Sequence, residues 1–297
     1  MTLCLALICR QNDAEIDPSA VVIVSDQMIT EGGTDEQYEA AQLKAIHLGP
    51  RITAFLAGDL TQGQEVCRSA LPYLHFEQVQ NVERAAKQLA EHVSIVIRAR
   101  FNQRLRRYNT TIEALLDGSA PLNPRTSQRL LREFHEASVD AHFLIVGADS
   151  TGAHIWIVDG VGKDHCQDGW SFAAIGSGDR FARQTLKRVG YQWSWMLGEA
   201  LAVGFMAKRD AEMDAWVGHE KTSFVVITRE WSTEATTEEK EKLNALYETY
   251  ADAVGFAVRR AKSDGHAVAS TISARQLARL RGVELAPQSR PESTHGP

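Results

Sequence analysis

Cysteine is scarce in this chain of 297 residues. There are four, Cys4, Cys9, Cys67 and Cys166, and no two of them form a CxxC pair. A disulfide framework or a thiolate metal site is therefore not expected. Read as small hydrophobes with free thiols, they suit a reducing, cytoplasmic compartment. Ten histidines show no metal-ligand spacing, so neither metal nor cofactor is expected. A basic surplus is missing too. The net charge of −6 argues against nucleic-acid binding by the whole surface. Long apolar runs are also absent. The run that opens the chain has seven apolar residues, far short of the ~20 that span a bilayer. No charge precedes Arg10, so the basic region of a signal peptide is absent and no membrane association is expected. What remains is ordinary: 44% hydrophobic and 24% charged residues fit a soluble protein with a sizeable core.

The first ten residues organise the rest. They read as a buried strand that starts at once. Chain ends fray unless something ties them down, so a terminus built into a core strand has something to hold in place. Thr2 is the candidate. Once Met1 is removed, Thr2 carries a free α-amino group and a hydroxyl. An α-amine titrates near about 7.7–8.0 and can serve as a base beside its own hydroxyl. The plainer alternative is that Thr2 is only the first residue of a strand.

After a polar loop, residues 20–26 form a second buried strand, and the pair reads as an antiparallel hairpin. Residues 43–49 and 51–58 form another, turning at Gly49-Pro50. The period then lengthens to that of helices over 59–76 and 82–108. A short helix over 127–138 follows two prolines. Strands resume at 141–147, 154–159 and 170–178, then come helices at 180–189 and 195–213 and a strand at 222–229. Past Trp231 the composition shifts. Thr236-Thr-Glu-Glu239 matches a capping box and opens a helix expected to reach 261, with a smaller one over 273–281. The polar end, 286–297, is expected to be disordered. The expected organisation is a domain over 1–231 with a helical insertion at about 100–138, then a helical extension over 232–285. The order of elements suggests an α+β fold of two packed antiparallel sheets with helices outside.

Six short motifs now fall in one order. They are Thr2; Ser25-Asp26 at a strand end, with Thr30 four residues on; Lys44 in the third strand; Ala57-Gly58; Gly176-Ser177-Gly178; and Asp214 with Gly218. With them the chain resembles the proteasome β-subunit family and its bacterial relatives, which are N-terminal nucleophile hydrolases. The resemblance covers about residues 2–229. It implies a four-layer αββα sandwich of two antiparallel sheets flanked by helices, carrying here a C-terminal helical extension. It also implies a threonine peptidase acting on peptide or unfolded protein within a homo-oligomeric ring. Whether an ATPase partner exists is left open. There are departures. Val217 stands where the family has a second serine, Met28 stands where it often has arginine, and the loop 11–19 is long.

The resemblance also implies roles. The Thr2 hydroxyl would attack a carbonyl while its amine acts as base. Lys44 would favour the alkoxide and the neutral amine, and Asp26 would hold Lys44 in place. The Gly58 N–H would form the oxyanion hole. Ser177 and Asp214 would orient the amine. Thr30 and Leu60 would offer backbone to an extended substrate. Ile29, Gln42, Ile46 and Leu56 would line a mostly apolar specificity pocket. The blander alternatives are a solvated lysine, a turn aspartate and an ordinary strand-to-helix glycine. An arginine cluster, Arg98, Arg100, Arg104, Arg106 and Arg107, reads as a solvated helix face, with RNA or an acidic partner as the alternative. Two other functions compete with the peptidase: an inactive scaffold of the same fold, and an amidase acting on a small amide.

Overall fold

The computed structural model describes residues 3–12, 16–26, 28–30, 37–39, 44–76, 80–213, 217, 222–234, 236–245, 247 and 248. Of 28–30 and 37–39 it describes the backbone alone. The chain divides into two compact units, Met1–Asn244 and Ala245–Pro297. The predicted helix over 273–281 and the tail lie outside the described residues.

Twelve strands are described. The first group is β1 (Leu3–Cys9), β2 (Ala20–Asp26), β3 (Met28–Thr30), β4 (Gln37–Glu39), β5 (Ala45–Gly49) and β6 (Ile52–Gly58). Helices α1 (Leu60–Phe76), α2 (Val82–Leu105), α3 (Ile112–Leu116) and α4 (Pro124–His135) follow. Then come β7 (Ala141–Asp149), β8 (Gly152–Val158), β9 (Asp164–Cys166) and β10 (Phe172–Gly176). Helices α5 (Asp179–Val189) and α6 (Leu197–Ala211) lead to β11 (Thr222–Thr228) and β12 (Ser232–Glu234). The strands make two five-stranded antiparallel sheets, ordered β10-β1-β2-β11-β12 and β5-β6-β7-β8-β9, with β3-β4 as a separate pair. The fold is therefore α+β. Because β12 pairs with β11, the first sheet continues past Trp231, where the sequence pattern ends the domain.

Every residue of β1 and of β2 is buried. A strand covered on both faces reads as a continuous apolar run, which is what Leu3 to Cys9 is. The inward set of one face, Cys4, Ala6, Ile8, Val21 and Ile23, shares a core with Phe55, Ala57, Leu144, Val146 and Ile155 of the other sheet. The alternate set of the second sheet, Ile52, Ala54, Leu56, Phe143 and Ile145, packs instead on α1 and α2 through Val66, Ala70, Leu89 and Val93. Helices α5 and α6 contact β1 and either β10 or β2. Gly204 of α6 lets that helix approach β1 and β2: a Cβ there would stand 3.0 Å from Val24 and 3.2 Å from Leu7.

The insertion holds more than the sequence pattern shows. α2 ends at Leu105, a 3-10 turn carries Arg106–Tyr108, and Asn109 closes it in the left-handed region at φ 51°. The helix expected over 127–138 is α4 and starts at Pro124, because Asn123 caps it and proline is tolerated at its first position. Phe101, Leu105, Ile112, Leu115 and Leu130 give the insertion its own small core. Within the arginine cluster, Arg100 bonds Glu65 and Gln62 of α1, and Arg107 lies over the Tyr108 ring. The capping box is present, since the Glu239 amide donates to Thr236 Oγ1 and the Thr236 amide donates to Glu239 Oε2. Among the described residues no helix is long and apolar enough to cross a membrane.

One charged cluster ties the far end of the second sheet. His154 Nδ1 lies 2.7 Å from Asp168 Oδ2, and its Nε2 lies 2.8 Å from Thr151 Oγ1 and 3.3 Å from Asp149 Oδ1. Asp149 also accepts from the Val82 amide at the start of α2. The hydrogen bond to Asp168, followed by the Coulomb attraction of both carboxylates, raises the His154 pKa against the opposing effect of burial. A raised folded value gives stability that is complete below the unfolded pKa of ~6.5 and is lost as pH climbs through the folded one. The melting-temperature gap between wild type and His154→Gln is therefore expected to be widest below about pH 6 and to narrow above it. Thermal melts across pH 5 to ~9 check this, and a flat gap counts against the charged cluster.

Candidate active site

The register of the first sheet gathers three strand ends. Leu3 pairs with Gly176 and Cys4 with Ser25, while Asp26 pairs with Thr222 on β11. The start of β1 therefore lies between the end of β2 and the end of β10. In the second sheet, the Leu56 amide donates to the Lys44 carbonyl at 2.9 Å. Cys4 Sγ lies 3.7 Å from the Leu56 carbonyl oxygen and joins the two sheets at this end. Register within each sheet, with this contact between the sheets, brings Asp26, Lys44, Gly58 and Ser177 to the same end of the two sheets.

Asp26 and Lys44 form a buried ion pair. Lys44 Nζ lies 2.6 Å from Asp26 Oδ1, with side chains 8% and 0% exposed. Nζ also donates to the Asp26 carbonyl oxygen at 3.3 Å. The Leu3 amide donates to the same Oδ1 at 3.3 Å. That amide nitrogen belongs to the Thr2–Leu3 peptide bond, so the link after Thr2 is fastened to the pair. Two ions out of water need such partners, because burial otherwise disfavours each charge by several kcal/mol. The sequence pattern puts Lys44 within a strand, but the structure sets it one residue before β5. The bond from the Leu56 amide to its carbonyl carries the β5–β6 pairing one residue past the strand.

Gly58 ends β6 with φ +99°, and a Cβ there would stand 2.5 Å from the Asp140 carbonyl oxygen. Only glycine fits this place, on both backbone and steric grounds. Asp59 then caps α1 by accepting from the Gln62 amide at 3.1 Å. Leu60 opens α1 with its side chain packed on the core beneath. Gly58→Ala is expected to cost roughly 1–3 kcal/mol through strain and backbone displacement. Urea denaturation measures it, and a loss well below that range would mean that the bend at Gly58 relaxes freely.

Ser177 follows β10 directly. Its Oγ is buried, and no described residue hydrogen-bonds to it. Val217 is fully buried, and a Cβ on Gly178 would come within 2.6 Å of Val217 Cγ2. Thr2, Gln42 and Asp214 lie outside the described residues. Ile29 and Thr30 belong to β3, paired with Tyr38 and Gln37 of β4.

Of the residues expected to line a specificity pocket, Ile46 and Leu56 are described with their side chains. Both pack on the core beneath α1 and α2, with Leu56 fully buried. The cavity of about 500 Å³ that Asp26 and Lys44 border is lined instead by Ala45, His47, Thr53, Ser223 and Glu234 among others, and by neither Ile46 nor Leu56. Residues adjacent in a strand face opposite sides, so Ile46 toward the helices means His47 toward the other sheet.

A second buried cation stands on α6. Lys208 is fully buried and paired with Glu212 one turn on. Burial lowers its pKa, the pairing with Glu212 opposes this, and Asp26 is among the charges it feels. No motif pointed to it. Among the described residues, no group of three or more His, Cys, Asp or Glu could hold a metal ion. The chain matches no protein-family model and no curated protein.

Proposed function

We propose that the protein is a threonine-type peptide hydrolase of the N-terminal nucleophile kind, resembling proteasome β-subunits, with Thr2 as nucleophile after loss of Met1. The observation that carries this reading is the buried Asp26–Lys44 pair bonded to the Leu3 amide. A cation sunk at the root of the N-terminal strand has a reason to be there if the next residue must lose a proton. In the mechanism, the Thr2 hydroxyl attacks the carbonyl carbon, its proton passes to the Thr2 α-amine, and an acyl-enzyme forms as the leaving amine takes that proton. Water then releases the acid and restores Thr2. Lys44 favours the oxyanion of Thr2, and Asp26 keeps Lys44 in position. The Gly58 N–H supplies the donor for the tetrahedral oxygen. Ser177 Oγ, with Asp214, orients the amine. No cofactor takes part.

The four-layer αββα arrangement belongs to the same reading. It is supported by the shared core between the sheets and by α1 and α2 on one sheet and α5 and α6 on the other. So does assembly into a homo-oligomeric ring in the cytoplasm. Analytical ultracentrifugation is expected to show a large homo-oligomer at micromolar concentration, and a monomer would remove the ring from the proposal. The catalytic reading is tested by the Thr2 substitution taken up in the Discussion.

A further inference from the structure

The insertion differs from the rest of the chain in charge. Residues 100–138 hold seven arginines, no lysine and four carboxylates, a net charge of +3. The whole chain carries −6, so everything outside the insertion carries −9. The basic part is a folded body. Its core, with the side chains packed against it, is drawn from residues 101–134 alone, and α3 packs on α2 as α4 packs on α3. Its charges are therefore held in fixed places, which a solvated tail would not do.

Those places include a stripe. Arg125, Arg129 and Arg132 recur at i, i+4 and i+7 on α4, so they share one face, and all three are exposed. Leu130 and Phe134, which join the small core, lie on the opposite side. Like charges at that spacing repel, and Glu133, 3.7 Å from Arg129, relieves only part of this. Arg125 and Arg132 form no ion pair with a described residue, nor do Arg104 and Arg106 where α2 ends. Arginine suits a protein partner, because its planar fork bonds a carboxylate twice and is weakly hydrated.

The complement is on the same chain. Past β11, residues 230–242 hold five glutamates against two lysines. Glu234 and Glu238 pair with Lys240 and Lys242. Glu230 and Glu241 are exposed and form no ion pair with a described residue. β12, within this stretch, is the edge of the first sheet and is exposed throughout. Basic and acidic surfaces thus belong to different elements. Contact between them is head to tail, the kind that closes into a ring. An outside polyanion, by contrast, meets a chain of net charge −6.

We propose that the insertion of one copy docks on the acidic stretch over 230–242 of the next, through the arginine stripe of α4. The proposal rests on the ring reading and says which surfaces build it. Charge pairs of this kind set register and reject wrong approaches more than they add affinity.

The test is sedimentation of the full chain. Wild type is expected to be a large homo-oligomer at about 0.15 M salt, where charges act over ~8 Å, and to fall to smaller species at ~1 M, where they act over ~3 Å. Arg125→Glu with Arg132→Glu is expected to lose the large species at the lower salt, with far-ultraviolet circular dichroism unchanged. Glu230→Arg with Glu241→Arg is expected to do the same. A chain carrying all four reversals restores opposite charges across the contact and is expected to assemble again. Reversals that leave the oligomer intact, or an oligomer indifferent to salt, overturn the docking and leave the ring standing. Loss without rescue in the fourfold chain shows that the arginines meet a different surface, and overturns the proposal too. So does an assembly dispersed by nuclease, which makes the occupant a nucleic acid. A wild-type monomer removes the ring and the docking together.

Discussion

Thr2→Ala is expected to reduce hydrolysis of short fluorogenic peptides by several orders of magnitude while leaving far-ultraviolet circular dichroism and the melting temperature unchanged. The argument is chemical. The substitution deletes the attacking oxygen, and in nucleophile-plus-base sites such a deletion costs about as much as removing the whole set. It removes no described contact of β1, whose hydrogen bond to Asp26 runs through the Leu3 amide. Thr2→Ser is the informative companion, since it keeps hydroxyl and amine and should retain measurable turnover. Unchanged turnover in Thr2→Ala, with contaminating peptidases excluded, would move the chemistry to another site.

The Asp26–Lys44 pair carries the second large effect. Lys44→Ala and Asp26→Ala are both expected to be inactive, for different reasons. Lys44→Ala withdraws the cation that tunes the nucleophile. Asp26→Ala removes the carboxylate 2.6 Å from a lysine with 8% of its side chain exposed, and takes the acceptor from the Leu3 amide. Stranding one member of a buried pair costs roughly 3–5 kcal/mol, so Asp26→Ala should also melt markedly earlier. Activity assays with urea denaturation separate the two outcomes. Near-normal activity in Lys44→Ala, or wild-type stability in Asp26→Ala, would show that the pair is ornamental.

Much of this could be read from the residues, and the reasons are physical. β1 and β2 were legible because strands covered on both faces are apolar without interruption, and local pairing then makes them a hairpin. Asp26, Lys44, Gly58 and Ser177 were legible as positions because each sits at the end of a regular element. The short pieces were not. β9 and β12 have three residues each, too few to show a period, and β3-β4 falls in a stretch that reads as polar loop. α3 spans five residues and depends on a cap from Thr111. The alternation of β5 and β6, legible in the sequence, turns Ile46 and Leu56 toward the helices and leaves His47 and Thr53 facing the gap between the sheets. Lys208 and Glu212 could not be singled out, because an i,i+4 pair looks the same on a solvated face as in a core.

The central claim is that Thr2 works with a free amine, and the intact mass of an active preparation tests it most directly. The account predicts a chain lighter by one methionine residue, with activity tracking the fraction so processed. A fully active preparation that keeps Met1 on most of its molecules would contradict it.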